Sequence, residues 1–133
     1  MPPAPPVWFS YAVVRVVPRV ERGEFLNVGV ILFARTDRFL AACIEVDPAR
    51  LRALAPGLDV ALIERHLGAF VAICEGTAAG GPIARLPPSE RFHWLTAPRS
   101  AVIQTSPVHV GRGDDPRAAL DALCAALVRP PVA

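Results

Sequence analysis

Three runs near the start of the chain are apolar at almost every position, and short polar breaks separate them. Residues 7–17 are dominated by aromatic and β-branched side chains, residues 25–33 read FLNVGVILF, and residues 38–46 read RFLAACIEV. All three predict strands. The breaks fall short of the dozen or more residues that a crossover between parallel strands needs, so an antiparallel meander is expected. Arg35-Thr36-Asp37 has the length of a tight hairpin turn. The other break, PRVERGE over residues 18–24, carries Arg19, Glu21, Arg22 and Glu24. A charged loop of this kind is ordinarily solvated, but its place at the end of the sheet also makes it a candidate wall of a site. Gly29 within the second run predicts a bulge or a close backbone approach. Asn27, two residues earlier, is expected on the same sheet face, where its amide would satisfy a buried backbone group or line a pocket.

The pattern then changes to a helical period. Asp47-Pro48 supplies a cap acceptor and a first-turn proline for a short helix through Leu54. Asp59 caps a longer helix through Cys74, with Val60, Ile63, Leu67, Phe70, Val71 and Cys74 on one buried face and His66 off it. Gly76, Gly80 and Gly81 close that helix in a loop. Residues 89–95 predict a helical turn capped by Ser89 and anchored by Phe92 and Trp94. Residues 100–105 look extended, and Ser106-Pro107 ends them. Asp115-Pro116 repeats the cap device, and Ala119, Leu120, Leu123 and Leu127 form the apolar face of a last helix that stops before Pro130.

These elements predict an α+β fold. Its antiparallel sheet has three or four strands, begins with the N-terminal meander, and packs on one face against two or three helices. Residues 1–6 are expected to be a flexible proline-rich leader, 7–129 a single globular domain, and 130–133 a tail. A free sheet edge beside residues 7–17 makes a homodimer a candidate assembly.

Composition narrows the class. A chain of 133 residues, 53% hydrophobic and 20% charged, suits one folded domain. No apolar run approaches the roughly 20 residues that span a bilayer, and the opening MPPAPPVWF lacks the layout of a signal peptide. A cytoplasmic protein without membrane association is therefore expected. Cys43, Cys74 and Cys124 lie far apart in apolar surroundings, so buried free thiols are expected, and neither a metal knuckle nor a disulfide framework. The net charge of +2 is small, but all 14 basic residues are arginines. Each is a planar fork for carboxylate or phosphate.

The polar side chains gather in residues 88–113. Arg91, His93, Arg99, Gln104 and His109 lie there, and convergence of Arg99, Gln104 and His109 would hold a phosphate or carboxylate. Either histidine would also serve proton transfer near neutral pH, or be a hydrogen-bonded structural residue. No metal site is expected: the histidine spacing is not HExxH, and capping accounts for Asp114 and Asp115. Nucleotide-fold and hydrolase signatures are absent and no cofactor is indicated. Nucleic-acid binding would need arginines brought together by the fold, because no RNP-type strand or zinc finger occurs.

Two long stretches, YAVVRVVPRVERGEFLNVGVILF and RFHWLTAPRSAVIQTSPVHVG, resemble the DUF3037 family, a bacterial family named for lacking an assigned function. The first contains Arg19, Glu21, Glu24, Asn27 and Gly29, and the second runs from Arg91 to His109 and beyond. The likeness extends over residues 11–127. It implies association with a HipA-like kinase and hence a regulatory or partner-binding role, while assigning no catalytic residue. The leading reading is a non-catalytic binding or regulatory module with an anion pocket framed by Arg19, Glu21, Glu24, Asn27, Arg91, His93, Arg99, Gln104 and His109. Two others stay open: an enzyme acting on a phosphorylated or nucleotide-like ligand, and a nucleic-acid-binding protein.

Overall fold

Strand β1 (Val7–Val16) is apolar on both sides, with Ala12, Val14 and Val16 buried on one face and Phe9 and Val13 on the other. Such a strand belongs in a sheet interior, and the computed structural model, which describes residues 5–131, places it there. β1 pairs antiparallel with β2 (Leu26–Ala34), and β2 with β3 (Phe39–Ile44), which is the expected meander. On its other side β1 pairs antiparallel with two short strands, β4 (Ile103–Thr105) and β5 (His109–Gly113). The fold is thus α+β with five strands rather than three or four, and the free edge expected beside residues 7–17 is occupied. Parts of the expected leader and tail, residues 1–4 and 132–133, lie outside the described residues.

β4 and β5 form one edge run interrupted at Ser106-Pro107-Val108. Proline has no N–H to donate to a ladder. The buried Ser106 bridges the gap: its N–H donates to the Val13 carbonyl at 2.8 Å, and its Oγ accepts from the Val13 N–H at 2.8 Å.

Gly29 fulfils both expectations made of it. Val14 pairs with Gly29 while Arg15 pairs with Asn27, so Val28 is the extra residue of a bulge. A Cβ on Gly29 would stand 2.5 Å from the Cys43 carbonyl oxygen and 2.5 Å from Ile44 Cδ1. The bulge also moves Asn27 to the face opposite Gly29, contrary to simple alternation. There its Nδ2 donates to the Leu127 carbonyl at 3.0 Å, the backbone-satisfying role.

Helices cover both sheet faces, not one. α1 (Pro48–Leu54), α2 (Val60–Glu75) and α3 (Pro88–Thr96) pack over Val14, Val16, Val28 and Ile31. α4 (Pro116–Leu127) lies on the other face over Val30 and Leu32. β2 dictates this, since its successive apolar residues point to both sides and each side needs a cover. Asp47, Asp59 and Asp115 cap α1, α2 and α4 as expected. Ser89 does not cap α3, because Pro87 holds that position. Phe92 is buried and stacks on Phe33 at 5.6 Å, whereas Trp94 is 40% exposed and lies outside the buried core. On α4 the buried stripe runs through Leu120 and Cys124 to Val128 beyond its end, leaving Leu127 exposed.

The cysteines divide differently from expectation. Cys74 is a buried free thiol, but Cys43 on β3 and Cys124 on α4 form a disulfide across 81 residues of sequence. α4 docks on the face of β3 that carries Cys43, and that packing joins two sulfurs whose separation along the chain concealed them. No single helix among the described residues is long and apolar enough to cross a membrane.

Candidate functional site

The charged loop between β1 and β2 folds into a 3-10 turn over Val20–Arg22, closed by Gly23 in the left-handed region at φ 69°. The turn turns Arg19 and Arg22 toward the connection between α1 and α2, where α1 ends at Ala55-Pro56. Between them lies a cleft of about 560 Å³ lined by Pro18, Arg19, Arg22, Glu24, Leu54 and the segment 55–58. Arg22 Nε donates to Glu24 Oε1 in a surface ion pair. The hydrogen bond first, and the carboxylate charge second, hold the Arg22 guanidinium above its ordinary pKa. Arg19 has no acidic partner among the described residues. The cleft therefore offers one uncommitted guanidinium fork beside a neutralised pair, with an apolar wall opposite.

The remaining site candidates do not converge there. Glu21 shares the loop but is exposed outside the cleft lining. Asn27 lines a small cavity of about 90 Å³ with Glu45, Arg50 and Arg129. Arg91 is committed to the backbone: Nε donates to Leu86 O at 2.9 Å, and Nη1 to Ile73 O at 3.0 Å and Cys74 O at 2.6 Å. His93 borders a third cleft, of about 320 Å³, with Trp8, Arg35 and Ser89. Arg99 and Gln104 do share a groove, of about 250 Å³, with His66 and Trp94. Arg99 stacks on the Trp94 ring at 4.7 Å, and Gln104 Nε2 donates to Ala101 O at 2.9 Å. His109 is outside that groove, across the β1–β5 ladder from Tyr11 with ring centroids 5.4 Å apart.

No histidine among the described residues hydrogen-bonds to an acid or a hydroxyl, the geometry of an activated nucleophile. Burial pushes the Cys74 thiol up to about 12, against a smaller opposing effect of the Arg91 charge, so it is not a ready thiolate.

A family model described as "Protein of unknown function (DUF3037)" matches residues 11–128, nearly the whole chain. The chain belongs to the DUF3037 family. No curated protein and no solved structure matches it. Within this DUF3037 chain, the first of the two motif stretches supplies Arg19, Arg22 and Glu24 to the cleft of about 560 Å³, while the second is spread over the α2 terminus, two other clefts and the β5 edge. Sequence reasoning missed the opposite wall of the main cleft, residues 54–58. These are small or apolar residues with no chemical signal of their own.

Proposed function

We propose that this DUF3037 protein is a non-catalytic recognition module that receives an anionic group, phosphate or carboxylate, in the cleft at Arg19. The observation that supports this reading is the pairing pattern: Glu24 satisfies Arg22, and Arg19 lines the same cleft with no acidic partner among the described residues. A guanidinium so placed binds planar oxyanions through two parallel hydrogen bonds. The HipA-like kinase implied by the family resemblance is the first protein partner to test, with the cleft as its docking point.

Calorimetric titration with inorganic phosphate, ATP and succinate tests the anion reading. One saturable site, weakened by salt and lost in folded Arg19→Ala, supports it; no saturable binding of any of the three overturns it. Co-purification of the kinase with wild type but not with Arg19→Ala supports the partner.

A further inference from the structure

Beyond that cleft, we infer that Cys43, Cys124 and Glu45 form a thiol-based site for a zinc ion, kept shut by the disulfide and opened by reduction. Cys43 is the penultimate residue of β3, Ile44 is its last, and Glu45 follows, so the alternation of β structure directs Cys43 and Glu45 to the same side. α4 brings Cys124 to that side, with Sγ 3.8 Å from Glu45 Oε2. One ligand atom from each residue lies within 4.8 Å of the others. Tetrahedral zinc, with Zn–S near 2.3 Å and Zn–O near 2.0–2.2 Å, needs separations of about 3.5–3.8 Å, within reach of side-chain rotation.

Charge and hydrogen bonding support the same assignment. Two thiolates and a carboxylate carry three negative charges, which Zn²⁺ and the Arg129 guanidinium on Glu45 would balance. Arg129 Nε donates to both Glu45 oxygens and Nη2 to Oε1; the pair is about half exposed, so the guanidinium can turn toward solvent and free one oxygen for zinc while holding the other. Asn27 Oδ1 is buried without a donor, and Asn27 lines one small cavity together with Glu45. An acceptor so placed would accept a hydrogen bond from a water that completes the zinc's coordination.

Opening the site needs a reductant, here a small-molecule thiol. Two of its molecules are oxidised to their own disulfide while the Cys43–Cys124 bond becomes two thiols, and zinc binding then releases both thiol protons. The oxidised protein offers only the carboxylate, so one residue pair has two exclusive states.

The test uses the full chain, reduced with dithiothreitol and transferred to thiol-free anaerobic buffer. Cobalt(II) titration should show a thiolate-to-cobalt charge-transfer band saturating at one equivalent, and no band in the oxidised protein. Zinc measured against a chromophoric chelator should bind Glu45→Gln at least about tenfold more weakly than wild type, with both thiols still present. Cys43→Ser should abolish the band. A reduced chain that loses its helical circular dichroism, or keeps it and gives no band, overturns the proposal; so does equal zinc affinity in Glu45→Gln and wild type.

Discussion

Arg91 Nη1 on α3 donates to the carbonyl oxygen of Cys74 in the last turn of α2, at 2.6 Å, and to that of Ile73 at 3.0 Å. Helix ends leave carbonyls without intrahelical partners, and a cation there also suits the helix dipole. Arg91, which looked like a ligand group in the sequence, therefore locks α3 to α2.

Arg91→Ala should cost about 2–3 kcal/mol, because charged hydrogen bonds to partly buried carbonyls would be lost together. Urea denaturation measures the loss. Phosphate binding at the Arg19 cleft should not change in the folded variant.

The cleft itself predicts a reciprocal result. Arg19→Ala should lose about 1.5–3 kcal/mol of anion affinity, the scale of a charged hydrogen bond, with little change in stability since Arg19 is exposed. Arg99→Ala, already engaged with Trp94, should bind as wild type does.

Ser106→Ala would leave the buried Val13 N–H without its acceptor in the ladder. A loss of about 1–3 kcal/mol is expected. Faster amide exchange at Val13 than at Val14 would locate the damage.

Two glycines should respond in opposite directions to alanine. Gly29→Ala drives a Cβ to 2.5 Å from the backbone oxygen of Cys43, which must move, at a cost of about 1–3 kcal/mol. Gly68, within α2, has nothing within 4 Å of a Cβ, so Gly68→Ala should stabilise by about 0.5–1 kcal/mol. Thermal melts of the two variants read both signs.

Cys74 gives stability a pH dependence. Its thiol is raised in the folded state from 9.0 to about 12, principally by burial, so the unfolded chain loses that proton first. The contribution is complete below pH 9 and falls as pH rises toward 12, by up to about 1.4 kcal/mol per pH unit. Urea midpoints of wild type and Cys74→Ala across pH 8–10.5, roughly the window where that slope begins, should diverge in slope, and parallel curves would refute the assignment.

What the sequence determined by itself is local. The meander, the three aspartate caps, the glycine that ends α2, the bulge at Gly29 and the break at Ser106-Pro107 all depend on residues within a few positions of one another, where backbone sterics and nearby hydrogen bonds decide. Exposure of His66 followed from helical period alone. Tertiary structure decided the rest, because those choices rest on contacts between separate elements, from 17 residues apart at Arg91 and Cys74 to 100 at Asn27 and Leu127. Packing β4 and β5 beside β1 removed the expected edge, and docking α4 on β3 joined Cys43 to Cys124 and gave Asn27 the Leu127 carbonyl. The same packing sent Arg91 into a helix terminus and left Arg19 facing a wall, residues 54–58, that no local pattern announces. Burial of two apolar sheet faces, summed over the whole chain, outweighs the preferences of any one segment and decides which polar groups stay at the surface.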